Sequence, residues 1–245
     1  MRNIIITGVT SGLGKELVEI FSKENSLNKL FLLGRNLDNN FLGLNCARLY
    51  EVDFAKINDN LITKIKNDLL NDINSSEELI FINCVGTIKP INFIENIASQ
   101  EIVENININV MWPIILIKEL ICVAEKKGIS VRIINISSGA AFNPLPGWSL
   151  YSLSKSAINT FLLSVAKEKE EYKIVSIDPG VMDTKMQNYI RNVNINEKCF
   201  DYIDQFRKYK EDNILLKTEY VANKIVNNYV NNWTAVEFYE RIINK

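Results

Sequence analysis

The sequence predicts an α/β fold in which one doubly wound parallel sheet is flanked by helices on both faces. Short apolar runs, typical of buried strands, alternate along the chain with longer segments of helical periodicity. A glycine-rich turn joins the first strand to the first helix. The 245 residues, of which 47% are hydrophobic, can bury a full core, so we expect a single domain over residues 1–245.

Charge and hydropathy argue against several classes of protein. The chain carries 28 basic and 29 acidic residues, and its net charge of −1 attracts neither nucleic acid nor an anionic membrane. The longest apolar run, residues 110–117, is far shorter than the roughly 20 residues that cross a bilayer. The N-terminus, MRNIIITG, lacks the pattern of a secretory signal. We therefore expect a cytoplasmic protein with no nucleic-acid or membrane partner.

The residue types restrict the chemistry further. There is no histidine, which removes Ser-His-Asp hydrolysis, Cys-His catalysis and most transition-metal sites. Cys46, Cys84, Cys122 and Cys199 are scattered without a CxxC pair, so neither a disulfide framework nor a metal site is predicted. Proton transfer must therefore use Tyr, Lys, Asp or Glu.

The first strand, residues 3–6, runs into TGVTSGLG at residues 7–14 and then into a helix. This is the context of a Rossmann-type dinucleotide site, in which glycines permit a tight turn and a close approach of the backbone to a pyrophosphate. Free N–H groups at the helix start attract phosphate. The alternative is a purely structural turn. The predicted cofactor contacts in this turn are Gly8, Thr10, Ser11, Gly12, Leu13 and Gly14.

The second strand, residues 29–34, ends at Arg35, where such folds contact the adenosine ribose. No acid stands at this point to bind a free 2′-hydroxyl, and a guanidinium suits a 2′-phosphate. We therefore predict NADP(H) rather than NAD(H). The alternative is a surface salt bridge of Arg35, with Asp38 as a possible partner.

The third and fourth strands, residues 46–52 and 78–83, are separated by a polar helix that ends near residue 71. Because carboxyl ends of parallel strands meet at one edge, we assign Asp53, Asn83 and Gly86 to the cofactor side as well.

Residues 99–126 form a helix that is apolar on nearly every face. The sheet can cover one face and a second subunit another, so we expect a homodimer or homotetramer. Pro113 should kink this helix near Asn109 and hold that residue in an irregular turn.

A serine, a tyrosine and a lysine come together in residues 137–155. Ser138 follows the apolar strand 133–136, and Tyr151 and Lys155 share one face of a helix predicted over residues 149–170. One reacting carbonyl could meet all three side chains. The alternative for Tyr151 and Lys155 is an ordinary surface pair.

After a strand at residues 173–177, the chain turns at Pro179 and Gly180. The stretch 188–217 is polar but contains aromatics, which suits a substrate lid or, equally, a surface helical insertion. A helix over residues 218–231 and an edge strand within residues 234–242 complete the chain.

These motifs together resemble the short-chain dehydrogenase/reductase family. TGVTSGLG matches TGxxxGxG, NCVG at residues 83–86 is a degraded NNAG, YSLSK at 151–155 matches YxxxK, and PGVMDT at 179–184 fits PGxxxT. The resemblance implies a catalytic tetrad of Asn109, Ser138, Tyr151 and Lys155. It implies further cofactor contacts from Tyr151, Lys155, Pro179, Gly180, Val181 and Thr184.

Within that family the chain is similar to the sepiapterin reductase and benzil reductase group. PGVMDTKMQ at residues 179–187 is similar to PGxxDTxMQ, and VEFYE at 236–240 is similar to a VDFYD segment whose first acid contacts the pterin. Glu237 takes that position with a longer side chain. Residues that could line an apolar pocket, or equally lie in the core, are Phe142, Leu145, Trp148, Met182, Met186 and Tyr189. We assign Trp148, Met182, Met186 and Glu237 to the substrate.

The resulting expectation is an NADPH-dependent carbonyl reductase that converts a small aromatic or vicinal dicarbonyl compound to a hydroxyketone. The alternatives are a pterin reductase, a secondary-alcohol dehydrogenase and, from another class, a catalytically idle NADP-sensing regulator.

Overall fold

The strands form one parallel sheet, which confirms the predicted fold class. The computed structural model describes residues 2–24, 28–37, 41, 43–44, 46–74, 77–193 and 202–243. Its strands are β1 (Arg2–Thr7), β2 (Asn28–Gly34), β3 (Ala47–Glu51), β4 (Glu78–Asn83), β5 (Val131–Ile136), β6 (Lys173–Asp178) and β7 (Tyr239–Arg241). Their order in the sheet is β3-β2-β1-β4-β5-β6-β7. The sheet winds in opposite directions on either side of β1, and ligands bind in the crevice that opens at such a reversal.

The helices continue the alternation that the sequence predicts. They are α1 (Gly12–Ser22), α2 (Asp59–Asp72), α3 (Ser99–Ile106), α4 (Trp112–Lys127), α5 (Ser149–Ala166), α6 (Lys185–Asn192), α7 (Ile203–Glu211) and α8 (Thr218–Ile225). Two boundaries differ from the prediction. α5 ends at Ala166 rather than near residue 170, and α8 continues as a π turn, Val226–Asn231, instead of an α-helix.

Side chains from alternate strand positions form two cores, one on each face of the sheet. Ile5 points into a core with α2, α4 and α5, whereas Ile4 and Ile6 point into a core with α1 and α8. Strands that are buried on both faces have continuous apolar sequences. This explains why the positions of the strands could be predicted from the sequence. A third cluster includes Trp148 and Tyr151 together with Ile190 on α6 and Phe206 on α7.

The long apolar helix is not broken at Pro113. Residues Ser99–Lys127 continue through a π turn, Asn107–Met111, and Pro113 lies in the first turn of α4. A π turn is the usual way to insert one extra residue into a helix. Asn109 lies in this turn, so the predicted irregular turn at Asn109 is present. By length and composition this stretch could cross a membrane, but half of its apolar window is buried inside the fold, as expected of a core helix.

A row of polar side chains crosses the apolar sheet near the carboxyl ends of four strands. Thr7, Asn83, Asn135 and Ser176 occupy paired positions on β1, β4, β5 and β6. The Thr7 hydroxyl donates to Asn83 over 2.9 Å, the Asn83 amide donates to Asn135 over 2.9 Å, and the Asn135 amide donates to Ser176 over 2.8 Å. All four are buried. The row therefore ties together the strands that carry the site.

Candidate functional site

A cavity of about 860 Å³ follows the carboxyl ends of the strands, from the glycine-rich turn to the last helices. It gathers residues that are far apart in the sequence, as the strand-end rule predicts. Of the predicted site residues, those lining it are Gly8, Thr10, Ser11, Gly12, Leu13, Gly14, Arg35, Gly86, Ser138, Trp148, Tyr151, Lys155, Pro179, Gly180, Val181, Met182, Thr184 and Met186.

The glycine-rich turn has the geometry of a phosphate cradle. Gly8 and Gly12 have φ angles of +71° and +56°, which side-chain-bearing residues rarely adopt. A Cβ at Gly14 would collide with the carbonyl oxygen of Gly8, so α1 starts directly against the turn. Ser11, which precedes α1, makes no capping hydrogen bond through its side chain. The first N–H groups of α1 therefore remain available to an anion, so this end fits the pyrophosphate of a dinucleotide.

Arg35 lies at the wall of the cavity beside Gly34, directly after β2. Its side chain is exposed, and among the described residues it forms no ion pair. The alternative partner, Asp38, lies outside the described residues. The guanidinium therefore fits a phosphate on the adenosine ribose.

Ser138, Tyr151 and Lys155 converge at the centre of the cavity. Ser138 follows β5, and Tyr151 and Lys155 lie on the first turns of α5, with the Lys155 Nζ 5.8 Å from the centre of the Tyr151 ring. The Tyr151 hydroxyl shares a hydrogen bond with Ser138. The Lys155 ammonium donates to the carbonyl oxygen of Ile136 over 2.8 Å. The predicted meeting of these three side chains is therefore present in the structure.

Burial controls the protonation of this group. It raises the pKa of Tyr151 to about 12; the hydrogen bond from Ser138 opposes this shift, and the Asp178 carboxylate adds to it. Burial lowers the pKa of Lys155 to about 8, an effect that Cys84 partly offsets. At neutral pH the phenol thus holds its proton and can act as an acid.

Asn109 lies behind the cavity wall rather than in it. It is part of the π turn, and its amide accepts from the Thr87 N–H and donates to the Thr87 carbonyl, both over 2.8 Å. A Cβ at Gly86 would lie 3.4 Å from the Lys155 Nζ and 3.5 Å from the Asn109 Oδ1. Asn109 therefore holds the segment that separates it from Lys155.

Two predicted cofactor residues do not line the cavity. Asp53 is exposed, and its carboxylate accepts from the Ala55 N–H over 3.2 Å. The next residue, Phe54, lines the wall instead. Asn83 is buried in the polar row of the sheet. Asn83 ends β4 and Asp53 lies two residues after β3, and both side chains form local hydrogen bonds instead of lining the cavity.

The substrate end of the cavity is aromatic. Trp148 stacks on Phe206 with ring centres 5.6 Å apart and meets Tyr151 edge-on at 5.7 Å. Leu145 and Tyr189 also line this end. The cavity therefore offers an apolar, ring-shaped space next to the Tyr151 phenol.

Two of the proposed pocket residues lie elsewhere. Phe142 is 58% exposed, and its ring packs on Tyr239 at 4.5 Å. Glu237 is exposed and does not line the cavity, and its N–H donates to the Glu240 carboxylate over 3.4 Å. Glu237 precedes the short strand β7 and is therefore not held by its pairing.

The sequence interpretation missed several lining residues. Phe206 and Tyr209 come from α7, and their aromatic character was the available signal. Lys89 lies over the Tyr189 ring at 4.6 Å. Asp178 and Arg241 end β6 and β7 and line the cavity, as the strand-end rule would have indicated.

Comparisons with known proteins show which sequences this chain is similar to. The family model described as short chain dehydrogenase matches residues 2–194. The chain is 35% identical to benzil reductase ((S)-benzoin forming) of Bacillus cereus, over 93% of both chains. It is 30% identical to sepiapterin reductase of Xenopus laevis, over 46% of this chain and 44% of that protein.

Solved structures share the fold. A short chain dehydrogenase/reductase of Saccharomyces cerevisiae superposes with a TM-score of 0.84 at 20% identity, over 98% of this chain and 96% of that one. ElxO with NADP bound superposes with a TM-score of 0.76 at 20% identity, again over 98% and 96%.

Proposed function

The chain belongs to the short-chain dehydrogenase family, and from this premise we propose that it is an NADPH-dependent carbonyl reductase of small aromatic or vicinal dicarbonyl compounds, with a hydroxyketone as product. As a member of that family it is an oxidoreductase that uses a nicotinamide cofactor. One observation carries the proposal: Ser138 and the buried Tyr151 and Lys155 line the cavity between a phosphate cradle and an aromatic pocket.

In the proposed reaction, the substrate carbonyl lies against Ser138 and Tyr151. Bound NADPH supplies the hydride that the carbonyl carbon takes up. Tyr151 donates its proton to the carbonyl oxygen, and Ser138 donates a hydrogen bond to the same oxygen. The Lys155 ammonium stabilises the phenolate left on Tyr151. Asn109 is proposed to act through the segment Gly86–Thr87, which its amide holds beside Lys155, while Lys155 returns a proton from solvent to Tyr151.

The cofactor would be held by the chain at three points. The N–H groups at the start of α1 would bind the pyrophosphate, and Arg35 the 2′-phosphate. The segment Pro179–Thr184 would flank the nicotinamide end, since it lines the cavity near Tyr151. Arg35, together with the NADP bound by ElxO, supports NADP(H) over NAD(H).

The aromatic pocket supports a substrate with a ring. Trp148, Phe206 and Tyr209 surround the space beside Tyr151, and benzil, the substrate named for the Bacillus cereus relative, is a diaryl diketone. The exposed position of Glu237 favours such a diketone over a pterin, because Glu237, the acid that the pterin assignment required, does not line the cavity.

The test is to mix the purified protein with NADPH and a panel of aromatic and aliphatic diketones and to follow the loss of NADPH absorbance. We expect turnover of aromatic diketones and a loss of at least about 100-fold in kcat for Tyr151→Phe. Tyr172→Phe is the matched control, because Tyr172 bonds to Glu125 on the surface and should leave the rate unchanged. If Tyr151→Phe were as fast as the wild type, the proposed mechanism would be wrong.

Cofactor preference is tested separately by measuring kcat/KM with NADPH and with NADH. We expect the wild type to prefer NADPH and Arg35→Asp to lose that preference by at least about tenfold, because the aspartate repels the 2′-phosphate. Equal use of both cofactors by the wild type would contradict the assignment of Arg35.

A further inference from the structure

A buried acid with no role in the proposed reaction lies beside Ser138. Asp178, the last residue of β6, is 5% exposed and lines the cavity. Its Oδ1 accepts from the Gly180 N–H over 3.0 Å. Its Oδ2 would lie 3.3 Å from a Cβ at Gly139, so the carboxylate packs against the backbone directly after Ser138.

Charged and titratable groups face Asp178 from two other elements. From β7, the Arg241 Nε lies 3.4 Å from the Asp178 Oδ2, and the Tyr239 hydroxyl donates to the same carboxylate. From α5 comes Tyr151, which is buried and lines the same cavity as Asp178. The Arg241 side chain is 62% exposed, so solvent screens its charge and it neutralises the carboxylate only in part.

We propose that Asp178 is a positioning residue, whose carboxylate keeps the Tyr151 phenol protonated and so sets the pH range in which the site donates or accepts a proton. The inference rests on the proposed function, in which Tyr151 is the proton donor. A buried negative charge opposes formation of a second one nearby, because little water screens the two. The Lys155 ammonium, 5.8 Å from the centre of the Tyr151 ring, acts on the phenol in the opposite sense.

The pKa of Tyr151 agrees with this arrangement, since Asp178 adds to the increase that burial causes. The overall equilibrium of the reaction is unaffected. Reduction needs the protonated phenol, and oxidation of an alcohol needs the phenolate. Asp178 therefore extends the reductive range to higher pH and moves the oxidative range upward.

Two substitutions should act in opposite directions. Asp178→Asn removes the charge but keeps an oxygen for the Gly180 N–H, so the phenolate should form at lower pH. Arg241→Gln removes the cation that faces Asp178, so the phenolate should form at higher pH. Damage to the fold does not produce opposite shifts, which separates this role from a merely structural one.

The experiment measures kcat against pH for oxidation of a hydroxyketone with NADP⁺. We expect the rising limb to move down by about one pH unit in Asp178→Asn. A smaller upward shift is expected in Arg241→Gln. Asp59→Asn is the control, because Asp59 is an exposed acid at the start of α2, outside the cavity lining, and should leave the limb in place.

Ultraviolet titration of tyrosinate, with Tyr151→Phe as the subtraction, reads the same phenol without catalysis. If the tyrosinate titration of Asp178→Asn matches the wild type, the role of Asp178 is overturned. If that titration shifts while no carbonyl compound is reduced, the electrostatic effect of Asp178 stands and the proposed function fails. Should Asp178→Asn not fold, an unshifted limb in Arg241→Gln would overturn the proposal.

Discussion

Lys155 shows how burial and chemistry oppose each other at a single residue. Lys155 is 5% exposed, and within the described residues its ammonium forms one hydrogen bond, to the Ile136 carbonyl, and no ion pair. Burying a cation in this way costs free energy, and the fall of the Lys155 pKa to about 8 reflects that cost. Lys155, which the proposed reaction needs, therefore lowers the stability of the fold.

We predict that Lys155→Met stabilises the protein. The drop from the ordinary pKa of 10.5 to about 8 corresponds to about 3 kcal/mol below pH 8, and loss of the hydrogen bond offsets about 1 kcal/mol. The unfolded chain binds more protons between these two values, so wild-type stability rises with pH across that window. The gain of about 2 kcal/mol at pH 7 should therefore shrink toward pH 10.5.

Urea unfolding at pH 7 and pH 10 measures this difference. Lys64→Met, at an exposed position on α2, is the control and should leave the free energy of unfolding unchanged at both pH values. A Lys155→Met variant that is less stable than the wild type at pH 7 would contradict the argument.

The sequence predicts some positions well and others poorly, for a physical reason. Tyr151 and Lys155 are four residues apart on one helix, and Ser138 follows a buried strand, so local geometry alone brings them together. Glu237 and Phe142 depend on the path of a three-residue strand and a loop, which no periodicity encodes. The positions of the Glu237 and Phe142 side chains could therefore not be predicted from the sequence.

At the scale of elements, ion pairs join the two helices of the predicted lid. Asp183, just before α6, contacts Lys210 on α7 over 2.5 Å and Arg191 at the end of α6 over 3.6 Å. The sequence suited a lid or a surface helical insertion over residues 188–217, but polar residues and scattered aromatics give no clear period, so the bounds of these helices could not be predicted. The aromatic residues of α7 nonetheless reach the cavity, so the pairs hold part of the substrate wall in place.

We predict that Asp183→Asn raises KM for the diketone about threefold to tenfold while kcat and stability change little. Exposed pairs contribute at most about 1 kcal/mol each, so their loss loosens α7 without unfolding the chain. Steady-state kinetics and thermal unfolding measure both quantities. Asp204→Asn is the matched control, since the ion pair of Asp204 in the described part of the chain lies within α7, with Arg207 over 3.1 Å. A similar KM for the two variants would count against a lid held by Asp183.

At the scale of the whole molecule, apolar side chains remain exposed on neighbouring helices. Val103 and Met111 on the long helix and Leu153 and Leu163 on α5 are each at least 39% exposed. The sequence predicted that a second copy covers part of the long helix. We propose that this surface is where two copies meet in a homodimer or homotetramer.

We predict that Leu153→Glu weakens self-association at least tenfold, because a carboxylate would be buried in an apolar interface. Sedimentation equilibrium measures the effect. Val236→Glu is the control, since Val236 is 92% exposed near β7 and lies far along the chain from this surface. A wild type that sediments as a monomer at micromolar concentration would disprove the oligomer.

The polar row across the sheet also determines how the strands align during folding. β1, β4, β5 and β6 are so rich in isoleucine, valine and leucine that apolar contact alone would accept a strand displaced by two residues, which keeps each side chain on its face. Such a displacement would leave the amides of Asn83 and Asn135 buried without partners, at about 1–3 kcal/mol for each group. The four polar side chains therefore fix the register of these strands, because they destabilise sheets in which a strand is displaced by two residues.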